Sequence, residues 1–419
     1  MTCNLTVIGL GYIGLPLASE ACRAGLAVLG FDSEPAVVET LNSGQSHVDD
    51  VTDDDVSVMR DSGFVATGNP SDLAEADVFV ICVPTPLSSD GIPDLSAIVD
   101  ASNLVARSLR PGCLVVLEST TYPGTTDGTV RSLLELGSRL VAGVDFYLAY
   151  SPERIDPGNP AYGLRNTPKV VGGLTPACTE RAVDFYRLIV ETVVPTVGLR
   201  EAELAKLLEN TYRHINIALM NEMAVFCHEL GIDLWSTIEA ARTKPFGFEA
   251  FYPGPGVGGH CIPIDPNYLS WVVRSVGYRF RFVELAQEIS ERMPIYIAQR
   301  VQQALNSDQI AVKGSSILLL GVTYKADIRD QRESPARPLA KQLLAMGADV
   351  HFFDPYVDSF LVNDRQLHAE VDLESAVEWS DFVVLIQGHS EIVESQFLVR
   401  AKRILDTRGV LSGDNVERL

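Results

Sequence analysis

Short apolar runs separated by stretches of helical periodicity fill roughly the first 190 residues of the chain. Leu5-Thr6-Val7-Ile8, Val78-Phe79-Val80-Ile81 and Leu114-Val115-Val116-Leu117 are continuous rather than alternating. A strand covered on one face alternates apolar with polar residues, whereas a strand covered on both faces reads as a continuous run. The pattern predicts buried strands at 5–9, 28–32, 78–83, 114–118 and 146–150. Their alternation with helices is the signature of a parallel sheet clad in helices.

A weaker version of the same layout returns toward the C-terminus, with strands expected at 316–322, 349–354 and 383–387 and a helix at 335–345. The two ends share local phrasing. Ala24-Gly25-Leu26-Ala27-Val28 leads to Phe31-Asp32, and Met346-Gly347-Ala348-Asp349-Val350 leads to Phe353-Asp354. Two nucleotide-binding-like lobes account for this, and so do two unrelated doubly wound domains, because strand–helix–strand chemistry is repetitive. Between them, 201–230 lacks Gly and Pro and carries Leu204, Leu208, Thr211, Ile215, Leu219, Met223, Phe226 and Leu230 at helical spacing. That spacing predicts a long helix with a buried stripe, serving as a spine with or without a subunit contact. The expected fold is α/β, with two Rossmann-like doubly wound lobes joined by this central helix.

Length and charge narrow the picture. At about 150 residues per domain, 419 residues suggest two or three domains. A net charge of −22 without a long basic run argues against nucleic acid and anionic membranes as partners, so an anionic substrate needs a locally basic pocket. The N-terminus enters a strand directly, without the charged and apolar regions of a secretion signal. The apolar runs fall short of the ~20 residues that span a bilayer. A cytoplasmic, soluble protein is expected.

Seven cysteines, at 3, 22, 82, 113, 178, 227 and 261, form no CxxC pair, which fits neither a disulfide framework nor a zinc site. Seven scattered histidines without HxxH or HExxH offer no metal site either. Cys82 and Cys113 sit in apolar strand patterns as small hydrophobes. Cys261 differs, because it lies in Pro253-Gly254-Pro255-Gly256-Val257-Gly258-Gly259-His260-Cys261-Ile262-Pro263-Ile264-Asp265-Pro266, a run that is neither helix nor regular strand. Such a loop brings backbone amides close to a ligand, and a thiol there becomes a nucleophile if positive charge or N–H groups stabilise its thiolate. From composition alone, an inert buried cysteine stays open. His260 is read as structural, since adjacent side chains in an extended loop point apart.

Gly9-Leu10-Gly11-Tyr12-Ile13-Gly14 follows the first strand and opens a helix. In that context Gly9 permits a tight turn, Gly11 admits a diphosphate to the backbone, and Gly14 lets helix and strand pack closely. Asp32 closes the second strand near the ~20-residue spacing at which a carboxylate binds the adenosine ribose. Its charge repels a 2′-phosphate, which favours NAD over NADP. Lys206, Asn210 and Arg213 share one helix face at i, i+4, i+7, able to hold an oxyanion or phosphate, or simply to be solvated. Thr85, Thr120, Glu153 and Arg154 each follow an expected strand, at the carboxyl edge where ligands of open α/β sheets bind.

These motifs together resemble the UDP-glucose/GDP-mannose dehydrogenase family over nearly the whole chain. The resemblance rests on GLGYIG, Glu118-Ser119-Thr120-Thr121-Tyr122-Pro123-Gly124 and Ser151-Pro152-Glu153-Arg154-Ile155-Asp156-Pro157-Gly158-Asn159. It also rests on Ala202-Glu203-Leu204-Ala205-Lys206, the cysteine loop, Tyr324-Lys325-Ala326-Asp327 and Arg332-Glu333-Ser334-Pro335. It implies an NAD-binding domain over 1–195, a central helical and dimer-forming domain over 196–300, and a nucleotide-sugar-binding domain over 301–419. It implies a four-electron oxidation at C6 of a UDP-hexose. The alcohol gives a hydride to NAD, Cys261 traps the aldehyde as a thiohemiacetal, a second hydride transfer leaves a thioester, and water releases the uronic acid.

Carried over by motif, Cys261 is the nucleophile, Lys206 and Asn210 stabilise the oxyanion, and Glu153, Thr120 and Asp265 manage protons and the hydrolytic water. The cofactor would be held by Gly9, Gly11, Tyr12, Ile13, Gly14, Asp32, Thr85, Thr120 and Arg332. The nucleotide sugar would be held by Glu153, Arg154, Lys206, Asn210, Arg213, Phe251, Tyr252, Gly258 and Lys325. No metal is implied, and the partners are a UDP-sugar and further copies of the chain, as a homodimer or higher oligomer.

Two positions depart from the UDP-glucose branch: Ile264 where a lysine is common, and Val37 where a basic residue often follows the ribose aspartate. The loops at 243–248 and 259–266 are most similar to enzymes for UDP-N-acetylhexosamines, although Asn267 and Val272 stand where that branch often has an aromatic and a basic residue. UDP-N-acetylglucosamine 6-dehydrogenation, within polysaccharide biosynthesis, is the implied reaction, with UDP-glucose the alternative. Two other classes remain: a two-electron Rossmann hydroxyacid dehydrogenase, which needs no Cys261, and a non-catalytic NAD-binding protein. NADH yield per substrate separates them.

Overall fold

The computed structural model describes residues 4–48, 50–88, 91–156, 159, 161–259 and 262–419. The chain forms two compact units, 1–209 with 271–277, and 210–270 with 278–419.

The first unit is built on eight strands: β1 (Asn4–Ile8), β2 (Ala27–Phe31), β3 (Val65–Thr67), β4 (Val78–Ile81), β5 (Leu114–Leu117), β6 (Tyr147–Tyr150), β7 (Lys169–Gly173) and β8 (Val193–Pro195). They lie in the order β3-β2-β1-β4-β5-β6-β7-β8. Neighbours are parallel except β6 and β7, which pair antiparallel. The parallel sheet expected from the sequence is present, and the one antiparallel pair is made by β7, which was not among the expected strands. Register runs Val7↔Val80, Val80↔Val116 and Val116↔Ala149 across the centre.

Continuous apolar runs are explained by what each face meets. Val78, Val80, Leu114 and Val116 enter one core cluster, whereas Phe79, Ile81, Val115 and Leu117 enter another. The period-2 geometry of a strand sends successive side chains to opposite faces, and both faces are covered. Each fully buried Val or Leu contributes about 1.5–3 kcal/mol relative to exposure.

The second unit repeats the scheme on a smaller scale. Strands β9 (Ser316–Leu320), β10 (Asp349–Phe353), β13 (Phe382–Leu385), β14 (Ile404–Asp406) and β15 (Val416–Arg418) form a parallel sheet ordered β10-β9-β13-β14-β15. The remaining pair, β11 (Ser359–Val362) and β12 (Arg365–His368), is an antiparallel hairpin. Ile317, Leu319, Phe382 and Val384 face one cluster and Leu318, Leu320, Val383 and Leu385 the other. The expected 335–345 helix is present as Ala336–Ala345.

The central helix runs Leu199–Glu229, supplying residues up to Glu209 to the first unit and from Asn210 to the second. Of the expected stripe, only Thr211 is buried. Ala202, Leu207, Thr211, His214, Ala218, Asn221, Ala224 and Cys227 are buried, whereas Leu204, Leu208, Leu219 and Phe226 are 40%, 62%, 48% and 46% exposed, and Leu230 just beyond is exposed too. Most of the larger apolar residues lie on the open side, and apart from Leu207 and Met220 the buried side is mainly small or polar. Five of the cysteines, Cys22, Cys82, Cys113, Cys178 and Cys227, are buried free thiols. Among the described residues, no helix is long and apolar enough to cross a membrane.

Candidate active site

The glycine loop after β1 does two different things. Gly9 has φ +90°, and a Cβ there would lie 2.8 Å from the Cys82 carbonyl oxygen. Gly14, first residue of the helix Gly14–Arg23, would put a Cβ 1.9 Å from the Gly9 carbonyl oxygen and 3.0 Å from Val7. At Gly11 nothing lies within 4 Å. The outer glycines let the protein close on itself, and the middle one leaves space for a ligand against the backbone, as a dinucleotide diphosphate requires. Tyr12 is exposed, and Ile13 rests on the sheet core.

Asp32, just past β2, is fixed by two amides: Leu10 N–H donates to Oδ2 and Glu34 N–H to Oδ1, both at 2.9 Å. A carboxylate has about four acceptor sites, so capacity for ribose hydroxyls remains. The residues present fit NAD.

Thr85, Thr120 and Glu153 follow the C-terminal ends of three adjacent strands, which align through Ile81↔Leu117 and Leu117↔Tyr150. All three are buried. The buried Lys206 ammonium donates to Thr120 Oγ1. One turn earlier, Glu203 accepts from Thr126 N–H at 2.9 Å, Thr126 O–H at 2.7 Å and Gly124 N–H at 2.7 Å. Glu203 thereby clamps the loop after β5 to the helix that carries Lys206.

Burial pushes the Glu203 carboxyl up to about 7, outweighing those hydrogen bonds. A folded-state value above the ordinary 4.5 means the native protein binds this proton more readily than the unfolded chain. The associated stability is present in full below pH 4.5 and is lost as pH rises through 7. At 1.36 kcal/mol per unit the swing is about 3 kcal/mol. Urea unfolding at pH 5 and pH 8 is expected to show this loss in the parent protein and a flatter dependence in Glu203→Gln. An identical pH dependence in both proteins would refute it.

Glu153 is held on both carboxylate oxygens. Oε1 accepts from the N–H groups of Arg154 and Ile155 at 2.7 and 2.8 Å, and Oε2 accepts from Lys169 Nζ at 2.9 Å. Burial raises its carboxyl, but Lys169 and the two amides hold it below the usual range. The Arg154 guanidinium is engaged with Glu209 at 2.7 and 3.1 Å and with the Pro168 carbonyl at 2.7 Å. Its position is set by these protein groups.

In the second unit, Asp265 opens the helix Asp265–Ser275, is almost fully buried, and accepts from Asn210 Nδ2 at 2.5 Å. Arg213 is exposed on the next turn. The glycine-rich loop is braced from two sides. Gly254 N–H donates to Asn221 Oδ1 at 2.8 Å, and Gly259 N–H to the Arg332 carbonyl at 3.0 Å. A Cβ at Gly258 or Gly259 would lie 2.7 Å from Tyr324 side-chain atoms. The Tyr324–Lys325 and Arg332–Glu333 motifs therefore press on the segment just before Cys261. Cys261 and His260 themselves lie outside the described residues.

The Arg332 guanidinium pairs with Asp330 at 2.6 Å, and the Lys325 carbonyl accepts from Thr323 Oγ1 at 2.7 Å. Phe251 packs edge-on to Tyr212 with ring centroids 5.6 Å apart. Tyr252 stacks on Trp235 at 5.5 Å and donates to Glu239. Both rings are half-buried and pack against the core of the second unit. Lys169 and Glu203 escaped the sequence reading of chemistry. A lone lysine opening the otherwise apolar run Lys169–Gly173 was the available sign. Among the described residues no cluster could hold a metal ion.

Comparison with known proteins gives a consistent result along the chain. Residues 3–190 match the UDP-glucose/GDP-mannose dehydrogenase family, NAD binding domain; residues 200–292 match its central domain; residues 318–413 match its UDP binding domain. A UDP-N-acetyl-D-mannosamine dehydrogenase from Pyrococcus horikoshii is 36% identical, covering 97% of this chain and 96% of that protein. A UDP-N-acetyl-D-glucosamine 6-dehydrogenase from Pseudomonas aeruginosa is 35% identical over 85% of this chain and 83% of its own length. The solved UDP-D-ManNAc dehydrogenase from Pyrococcus horikoshii superposes with a TM-score of 0.89 at 35% identity, covering 99% of this chain and 98% of that one.

Proposed function

Since this chain belongs to the UDP-glucose/GDP-mannose dehydrogenase family and is an NAD-dependent nucleotide-sugar dehydrogenase, we propose that it oxidises C6 of a UDP-linked 2-acetamidohexose to the carboxylate. The observation that carries this reading is the loop 253–266, whose glycines are packed by Tyr324 and Asn221, on a chain matching 2-acetamido-sugar enzymes over nearly its whole length. UDP-N-acetylglucosamine and its C2 epimer are the two candidate sugars.

In this reading Cys261 adds to the C6 aldehyde, and Lys206 and Asn210 stabilise the oxyanion that results. Glu153, Thr120 and Asp265 hold and orient the hydrolytic water and the departing protons. Bound NAD supplies the hydride acceptor in each oxidation, held by the 9–14 loop, Asp32 and the Thr85–Thr120 edge. The chemistry balances: each oxidation removes a hydride and a proton from carbon and oxygen, and water then replaces the sulfur. NAD binding is assigned to 1–195, subunit contact to 196–300 and nucleotide-sugar binding to 301–419. A second copy of the chain would cover the exposed leucines of the central helix, giving a homodimer. Within this reading the protein makes activated uronic acids for polysaccharide in the cytoplasm.

An acetamido group adds a methyl and an amide to the sugar. Ile264, half-buried where a long cation stands in the UDP-glucose branch, suits an apolar wall. If a buried group pairs with the amide, UDP-glucose leaves it unpaired at a cost of about 1–3 kcal/mol, or roughly ten- to hundredfold in kcat/KM. Competition among UDP-glucose, UDP-N-acetylglucosamine and UDP-N-acetylmannosamine, read by product mass, is expected to favour an acetamido sugar by that ratio. Preference for UDP-glucose would overturn the assignment and leave the two-step chemistry standing.

A further inference from the structure

Behind the carboxyl edge of the first unit lies a charge set that the roles above leave unexplained. Lys169, at the start of β7, donates to Glu153 Oε2 at 2.9 Å and to Glu118 Oε2 at 3.0 Å. The Tyr186 hydroxyl donates to Glu118 Oε1. Lys169, Glu118 and Glu153 are 4%, 0% and 9% exposed, and Tyr186 is fully buried. Two carboxyls thus share one ammonium away from water. A buried ion pair contributes little net stability compared with an apolar replacement, so stability alone is a poor reason for the arrangement.

Geometry supplies a better one. Glu153 Oε1 is fixed by two backbone amides, and Lys169 is the side chain that fixes Oε2. We propose that Lys169 is a positioning residue for the oxidation, holding Glu153 in one rotamer as the anion, while Glu118 draws away part of the same ammonium's charge. The proposal rests on the reading of Glu153 as a group that handles water or protons in the reaction.

Among the described residues, the other groups beside this set are neutral or engaged elsewhere. The Cys82 thiol, beyond β4, is pushed well up by burial and then by Glu118, and stays neutral. The Tyr186 phenol, on the helix Pro176–Tyr186, is likewise raised by burial and then by Glu118. The Arg154 guanidinium is committed to Glu209 and Pro168. Glu118 itself is raised, by burial first. In this set Lys169 is the cation that keeps Glu153 charged, and a neutral carboxyl could not take a proton from water or a hydroxyl.

Opposite displacements of the pH profile follow. Without the ammonium, Glu153 protonates at higher pH, and the acid limb of kcat moves up. With Glu118→Gln, Glu153 receives the whole of the ammonium's charge, and the limb moves down. The test measures kcat, both KM values, melting temperature and pH profile for Lys169→Met, Lys169→Arg, Glu118→Gln and Glu153→Gln. Lys169→Met is expected to lower kcat at pH 7 by about 100-fold, with the KM for NAD little changed and the acid limb raised; Lys169→Arg recovers most of the loss. An unmoved limb in Lys169→Met, or a limb in Glu118→Gln that moves the same way, overturns the proposal. If Lys169→Met fails to fold, Glu118→Gln decides, since an acid limb that stays or rises overturns it. A Glu153→Gln variant with the parent's kcat and profile overturns both the Glu153 reading and this one. Loss of activity in Glu153→Gln beside parent-like Lys169 variants overturns the Lys169 proposal alone.

Discussion

Alanine at Cys261 is expected to end uronic acid formation, with a fall in its rate of about 10⁴-fold or more, while NAD binding and the melting temperature stay near those of the parent. A thiol is needed twice in the proposed chemistry, to trap the aldehyde and to carry the acyl group to water. None of the described cysteines can stand in, because Cys22, Cys82, Cys113, Cys178 and Cys227 are buried, and burial drives the Cys22 thiol up to about 11 and that of Cys82 well above its ordinary value. Nucleophilicity requires the thiolate. Cys82→Ala is accordingly expected to lose stability and keep the reaction. Product analysis by mass decides: uronic acid made by Cys261→Ala at a tenth of the parent rate would remove the covalent route.

Gly14→Ala is expected to cripple the first unit, whereas Gly11→Ala leaves it folded and impairs the cofactor. A Cβ at Gly14 would sit 1.9 Å from a backbone oxygen, so the helix Gly14–Arg23 must move off β1. Overpacking costs roughly 1–3 kcal/mol where neighbours can shift, and more where the neighbour is backbone. At Gly11 the Cβ meets nothing within 4 Å, so the melting temperature is expected to hold. The methyl would occupy the room left for a diphosphate, and losing one such hydrogen bond raises the KM for NAD by about ten- to a hundredfold. Melting curves and NAD titration of both variants test this together, and a Gly11 variant with the parent's KM would place the diphosphate elsewhere.

The sheets were legible because burial on both faces leaves continuous apolar runs such as Val78–Ile81. Strands β3 and β8 have three residues each and mixed exposure, so nothing in their composition marks them. The antiparallel turn at β7 was hidden for another reason, since strand direction depends on the connection and not on the strand. On the central helix the period announced an apolar stripe but not what covers it, and the buried side is the one with alanines, Thr211, His214 and Asn221. His214 illustrates the difference: burial lowers its imidazole to about 4, so it is carried neutral inside a helix whose outer face holds leucines.

Within the site, motif spacing located residues one at a time, while their pairing came from the fold. Asn210 meets Asp265 across 55 positions, and Lys169 meets Glu118 across 51. Neither distance leaves a trace in sequence. Lys206 was legible as part of a polar row, but its hydroxyl partner Thr120 lies 86 residues away on a strand edge. The aromatic pair Phe251 and Tyr252 gave no such signal, because rings beside a glycine loop suit a ligand and a core equally well, and the stacking of Tyr252 on Trp235 is visible only in the fold.

The most direct measurement is the number of NADH formed per nucleotide sugar consumed to completion by the parent protein. A C6 alcohol carried through a Cys261 thioester to a carboxylate gives up four electrons, so two NADH per sugar is the predicted result, with uronic acid as the product. One NADH per sugar, with the aldehyde or ketone as product, would contradict the account and identify a two-electron dehydrogenase.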